Sequence, residues 1–402
     1  MKVKIEKGLP SGEIKAPPSK SYAHRLLICS ALSGKDSSVT GIAQSEDMLA
    51  TLDCISSLGV DYSVNNQSVQ FIGKKEAGTV FNCRESGSTL RFFIPIALAR
   101  GGVCEFRGTE RLISRGISIY EEICKKQGIS LSYTDTSITF DGALKPDTFE
   151  VRGDISSQFI SGLFFALPLL DGDSTVKITT ELESKPYIDI TIDALSRFGV
   201  RIEQISDREF FIRGKQKYIS ADVSVEGDFS NSAFLEAFGV LGTDISVIGL
   251  YYSSLQGDKI YKEFFKQIKN GYFEADISSC PDLGPILIAL CAARDGGYIT
   301  GTRRLKIKES DRAEAMASEL AKLGIRVDVL ENAVKIHKGE LQAPVEELSS
   351  HNDHRIAMSL AVLATLTGAT INGAEAVSKS YPSFFEDISS LGVKCEVINE
   401  NN

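Results

Sequence analysis

SSLGVDYSV at residues 56–64 reads as the last turn of a helix, a glycine, and then an alternating strand. The same pattern recurs in KKQGISLSY (125–133), SRFGVRIEQ (196–204), IKNGYFEAD (268–276), AKLGIRVDV (321–329) and SSLGVKCEV (389–397). Glycine just past a helix end supplies the left-handed residue that closes the last turn, so Gly59, Gly128, Gly199, Gly271, Gly324 and Gly392 mark six helix ends. Their separations are 69, 71, 72, 53 and 68 residues, the spacing of an internal repeat. The helices before them are amphipathic: Met48, Leu52 and Ile55 fall on one face, as do Phe384, Ile388 and Leu391.

A second series runs in step with the first. Small polar residues open six strongly apolar segments near Ser21, Ser88, Ser157, Ser230, Asp282 and Asp353. Helices apolar all round are buried, so each repeat carries one core helix and one amphipathic helix with strands between. Six units suggest three in each of two domains, the division expected of 402 residues. The shortest interval and the GDFSNS stretch place the hinge near residue 228. MKVKIEKGLPSGEIK at the start alternates like a strand and lacks the apolar core of a signal peptide.

Bulk composition narrows the chemistry. A net charge of -9 argues against coating nucleic acid or anionic lipid, so an anionic ligand must meet a local basic pocket. The eight cysteines are scattered singly, with no paired metal spacing, which fits a reducing cytoplasm. No apolar run approaches a membrane span.

The basic residues sit in unusual places. Lys20 and Arg25 flank the start of the first core helix, and Arg91 and Arg355 are expected in the first turns of the second and sixth. Cations there oppose the helix dipole by about 0.3–1 kcal/mol, unless the side chains bend into solvent or a bound anion reverses the sign. PPSKS (Pro17 to Ser21) lacks the glycines of a P-loop. Gly87 in GSTLR allows close approach to backbone N–H groups, and Ser156, Ser157, Gln158 and Ser184 offer polar groups that capping alone would also explain. In LKIKESDR (305–312), Ser310 or Asp311 can cap the next helix, gathering Lys308, Glu309 and Arg312 at its start as a proton-transfer pair with a cation, or as a surface ion pair. HNDHR (351–355) hints at a metal, but only four histidines and no third-ligand pattern argue against one.

Taken in order, PPSKS with Arg25, SGSTLR, Arg111 with Arg115, SSQ, SKPY, PD, KESDR, NDHR and SKSYP resemble the 5-enolpyruvylshikimate-3-phosphate synthase family over nearly the whole chain. The resemblance implies an α/β fold: a two-domain inside-out α/β barrel, each domain built of three βαβαββ repeats around buried helices. One domain would comprise 1–15 plus 226–402 and the other 16–225, with the active site in the interdomain cleft. It implies transfer of the enolpyruvyl group of phosphoenolpyruvate to the 5-hydroxyl of shikimate-3-phosphate, in aromatic amino acid biosynthesis, by a cytoplasmic monomer without cofactor or metal. It also implies inhibition by glyphosate.

Carried over by position, Lys20, Ser21, Arg25, Ser156, Ser157, Gln158 and Ser184, with Asp282 and Lys308, would hold shikimate-3-phosphate. Lys20, Gly87, Arg115, Gln158, Arg312, Arg355 and Lys379 would hold phosphoenolpyruvate. Asp282, Lys308, Glu309 and Lys20 would be catalytic. The chain departs from the family pattern at Glu85, Ser88 and Arg304, where asparagine, threonine and asparagine are common. Two rivals stay in view: the sister enzyme acting on UDP-N-acetylglucosamine, whose reactive cysteine has no counterpart in the loop Gly108 to Gly116, and a silent phosphometabolite-binding protein.

Overall fold

The strands and helices alternate as the repeat predicts, and they divide between two compact units in a computed structural model that describes residues 1–398. Residues 18–226 form one unit; 1–17 with 227–398 form the other.

In the 18–226 unit three four-stranded sheets share one strand order. The first runs 222–224, 37–40, 68–74, 60–65; the second 80–82, 103–107, 137–141, 130–133; the third 148–151, 174–178, 209–212, 203–206. In each, the first two strands are parallel and the rest antiparallel. A parallel pair needs a crossover, and the core helices Gly87–Arg100 and Ser157–Ala166 supply it for the second and third sheets. The first sheet is closed differently: its leading strand, 222–224, comes from the end of the segment and pairs in parallel with 37–40.

Ser19, Ser86 and Ser156 cap the three core helices through their hydroxyls. The second and third of them pack on one another, and a Cβ at Gly162 would lie 2.3 Å from both the Arg91 carbonyl and the Tyr120 hydroxyl. The core behind them is aromatic, with Phe92, Phe93, Phe159, Phe164 and Phe165 all buried.

The other unit follows the same plan with two changes. The strand 2–5 takes the third place in the sheet 348–349, 369–372, 2–5, 395–398, antiparallel to both neighbours. The opening segment is therefore two strands, broken around Gly8 and Pro10, since 12–15 joins a different sheet, in parallel with 245–248. That second sheet has only two strands. After the helix Tyr261–Asn270 the chain passes Gly271 straight into 273–276, which opens the next four-stranded sheet, 273–276, 297–300, 333–336, 327–329.

The expectation of three full βαβαββ repeats in each domain is corrected here, because one repeat lacks its closing hairpin. The 53-residue interval marks that missing hairpin. Gly271 shows the difference locally, with φ 142 and ψ -150, far from the left-handed cap that Gly128 adopts at φ 70 and ψ 30. The core helices of this unit are Phe229–Val240, Gly284–Ala293 and His354–Thr367. Asp228 and Asp353 cap the first and third, whereas the second has no side-chain cap and is entered through a 3₁₀ turn, Pro281–Leu283, that carries Asp282. No helix among the described residues is long and apolar enough to cross a membrane.

Candidate active site

Each unit gathers its own set of the expected residues. In the 18–226 unit the cations at the core helices do not bend into solvent: Arg25 and Arg91 are 3% and 4% exposed. Arg91 falls in the second turn and not the first, because its helix begins at Gly87. The Arg25 guanidinium donates to Thr191 Oγ1 at 2.8 Å, the Ser21 carbonyl at 2.7 Å, the Tyr187 carbonyl at 3.0 Å and Ser161 Oγ at 3.4 Å, tying the first and third core helices to the helix Lys185–Arg197. It also lies over the Phe92 ring. Burial pulls its pKa down to about 10, against the pull of Tyr187, Tyr22 and Cys29.

Arg91 stacks on Phe159 and donates to Gln158 Oε1 at 2.8 Å, while Gln158 Nε2 donates to Ser88 Oγ at 2.9 Å. Gln158 is therefore held at both ends of its amide. Ser156 accepts from the Gln158 N–H as the cap, Ser157 begins the helix, and Ser184 stands before Lys185–Arg197 in a left-handed conformation at φ 57. The Arg115 guanidinium lies against Gly87, where a Cβ would come within 2.9 Å of it. Lys20 pairs with Asp47 at 2.8 Å, both largely buried. Beneath it His24 is enclosed, and burial, then Lys20 and Arg25, hold its pKa well below the usual imidazole value.

In the other unit Asp282, Lys308, Glu309, Arg312 and Arg355 form one cluster. Asp282 Oδ1 meets Lys308 Nζ at 3.1 Å and Arg312 Nη1 at 2.8 Å, and Oδ2 meets Arg355 Nη2 at 3.3 Å. Arg312, 1% exposed, also pairs with Glu309 at 2.7 Å and Asp353 at 2.8 Å, so this is no surface ion pair. A buried arginine needs such matching, since one uncompensated buried charge costs several kcal/mol.

Burial lowers the Lys308 pKa below the ordinary lysine value, with Arg312 and Arg304 adding to the effect and Asp282 and Glu309 opposing it. Arg355 is fixed further by the Asp282 carbonyl at 3.1 Å and Ser230 Oγ at 3.2 Å. Lys379 donates to the Asn352 carbonyl at 2.6 Å. Of the expected catalytic residues, Lys20 belongs to the other unit.

Three partners escaped the sequence reading. Asp353 caps His354–Thr367 and grips Arg312 at the same time; its position before an apolar helix announced the cap but not the grip. Asp47 pairs Lys20 from the next helix. Asp258, in the 3₁₀ turn Gly257–Ile260, is 4% exposed and bonded to Ser230 Oγ, behind Arg355. Burial and then the Asp282 charge push its pKa up to about 6, with Arg355 and Ser230 pulling down and Asp228 up. Of the departures, Ser88 serves Gln158, and Arg304 donates to the Ser278 carbonyl at 2.9 Å.

Among the described residues no group of His, Cys, Asp and Glu could hold a metal. Cys104 lies in the strand 103–107, and burial raises its thiol to about 11, the reverse of what a reactive cysteine needs.

Comparison with known proteins agrees from three sides. The family model for EPSP synthase (3-phosphoshikimate 1-carboxyvinyltransferase) matches residues 6–388. A 3-phosphoshikimate 1-carboxyvinyltransferase of Clostridium kluyveri is 44% identical, with 95% of each chain covered. One of Clostridium novyi is 42% identical, with 97% of each covered. Among solved structures, an EPSP synthase from Acinetobacter baumannii superposes with a TM-score of 0.79 at 22% identity, covering 99% of this chain and all of that one. The enolpyruvyl transferase NikO from Streptomyces tendae gives 0.78 at 16% identity, with 98% of each covered. At those identities the two structures speak for the fold.

Proposed function

The chain belongs to the EPSP synthase family, and from that membership we propose how its residues carry out transfer of the enolpyruvyl group of phosphoenolpyruvate to the 5-hydroxyl of shikimate-3-phosphate in the shikimate pathway. The acceptor hydroxyl adds to C2 of phosphoenolpyruvate while C3 takes a proton. The C2–O bond to phosphate then breaks as the C3 proton is given back, so the vinyl group is restored and inorganic phosphate leaves. No covalent enzyme nucleophile is required; an acid, a base and a cationic lining are.

Asp282 is the group that accepts the hydroxyl proton. Lys308 and Glu309 handle the proton at C3. The observation that carries this division is the contact of Asp282 with Lys308 at 3.1 Å, in a lysine whose pKa burial has lowered, because an ammonium so placed gives up its proton more readily than a solvated one. Lys20, Ser21, Arg25, Ser156, Ser157, Gln158 and Ser184 take the phosphate, hydroxyls and carboxylate of shikimate-3-phosphate. Arg312, Arg355, Lys379, Arg115, Lys20 and Gln158 take phosphoenolpyruvate, with Gly87 leaving it room. Supporting this, the Gln158 amide and both arginines of the second cluster are already fixed by protein partners, so little freedom is lost when an anion binds. We place the enzyme in the cytoplasm as a monomer, a setting that suits eight unpaired thiols.

Phosphate release from phosphoenolpyruvate, with shikimate-3-phosphate or UDP-N-acetylglucosamine as acceptor, tests the reading. Release with shikimate-3-phosphate alone is expected. Release with the nucleotide sugar alone would move the assignment to the sister enzyme, and silence with both from folded protein would leave a binding protein.

A further inference from the structure

We propose that Glu319 and His351, neither of them assigned a role above, are positioning residues for phosphoenolpyruvate: together they fix the turn that anchors Lys379 and starts the helix bearing Arg355. The inference rests on the reading of Lys379 and Arg355 as ligands of that substrate.

The turn is 349–353, between the strand 348–349 and the helix His354–Thr367. His351 and Asn352 adopt φ 50 and 54, two consecutive left-handed residues without a glycine between them. Side chains disfavour that conformation, which persists only where the surroundings over-determine it. Here they do. Ser349 Oγ accepts from the His351 N–H at 3.1 Å, and Ser350 Oγ from the Asn352 N–H at 3.2 Å.

The larger restraint comes from Glu319, on the helix Arg312–Lys322 and 1% exposed. One of its oxygens meets His351 Nε2 at 2.7 Å; the other accepts from the Ser349 N–H at 2.9 Å and Lys322 Nζ at 2.8 Å. A carboxylate is rarely buried unless its bonding capacity is filled, and this one is filled largely by the turn.

The same helix thus grips the turn twice. Arg312, its first residue, holds Asp353, and Glu319, two turns on, holds Ser349 and His351. Between the two grips the Asn352 carbonyl, aimed by the left-handed pair, receives Lys379 Nζ at 2.6 Å, and Asp353 caps the Arg355 N–H at 2.9 Å. If the turn relaxes toward ordinary backbone angles, that carbonyl swings away from Lys379 Nζ, while the residues read as shikimate-3-phosphate ligands in the 18–226 unit stand outside this network.

Steady-state kinetics of the full chain test this with His351→Leu, His351→Gln, Glu319→Gln and Lys379→Met. His351→Leu and Glu319→Gln should raise KM for phosphoenolpyruvate on the order of tenfold, the scale of a lost hydrogen bond to a charged group. KM for shikimate-3-phosphate and kcat should stay within about twofold on the same argument. His351→Gln, which keeps a donor at a position about one-third exposed, should restore most of the loss. Equal rises in both KM values, or a lowered melting temperature with unchanged KM, would reduce the pair to a structural role and overturn the proposal. Lys379→Met separates the two layers: if it raises KM for phosphoenolpyruvate and His351→Leu does not, positioning fails alone; if it leaves that KM unchanged, the ligand reading of Lys379 fails and takes the positioning with it.

Discussion

Asp282 spreads three cations over two oxygens, which makes it both the proposed base and the counter-charge that lets Lys308, Arg312 and Arg355 stand together. Lys308→Met, which keeps the length of the stem, and Asp282→Asn, which keeps the shape, should each lower kcat by more than about tenfold with near-native circular dichroism. Asp258 makes a separate prediction about stability. Its folded-state pKa of about 6 lies above the usual carboxylate value, so the fold favours the protonated form. That contribution is complete below about pH 4 and is lost as pH rises through 6. Asp258→Asn should therefore gain melting temperature over the wild type between pH 4 and 8, by up to about 3 kcal/mol in stability; a difference independent of pH would refute the shifted carboxyl. These two acids also show what a sequence yields at this scale. Lys308, Glu309 and Arg312 are legible because they adjoin in LKIKESDR, whereas Asp258, Asp353 and Asp47 act on residues distant in sequence, and no local spacing announces a through-space partner.

The core helices behave as the repeat predicts, but their entries differ in ways the pattern could not carry. Four open on a single serine or aspartate cap after extended backbone, the sixth needs a strained turn before its cap, and the fifth uses a 3₁₀ turn that swings Asp282 toward the arginines. The truncated repeat was visible as a short interval, yet glycine followed by an alternating strand reads alike whether the strand closes one sheet or opens the next; pairing decides it, and pairing is long-range. Helix packing yields a sharper expectation at Gly162. A methyl group there meets two oxygens at 2.3 Å, one of them the Arg91 carbonyl. Gly162→Ala should cost at least about 1–3 kcal/mol, read as a lower urea midpoint. It should also raise KM for shikimate-3-phosphate, because the strain falls on the helix pair that orients Gln158. A variant destabilised but kinetically normal would show that this pair tolerates repacking without disturbing the site.

On the scale of the whole molecule the two units are unequal in how they are threaded. Residues 18–226 contain every strand of their three sheets, and the ends of that segment adjoin, with the Ser19 N–H bonded to the Glu226 carbonyl at 2.8 Å. The fragment 18–226 should fold cooperatively by itself, as a single sharp transition in urea. The fragment 227–402 should not, since it lacks both the inner strand of one sheet and half of another; a sharp transition in it would mean that strands 2–5 and 12–15 are dispensable. The strand 2–5 is the extreme case, because both its neighbours, 369–372 and 395–398, follow it by more than 360 residues. On a translating ribosome, where domains tend to fold as they emerge, the inserted unit can complete itself while the first strands wait unpaired. A nascent chain stalled soon after residue 226 has cleared the exit tunnel should already resist protease across its middle and yield its leading segment. Pairing of the strand 2–5 must wait until 369–372 and 395–398 have been made, so a chain that stops before them leaves one sound unit tethered to an open sheet edge, the form most in need of a chaperone.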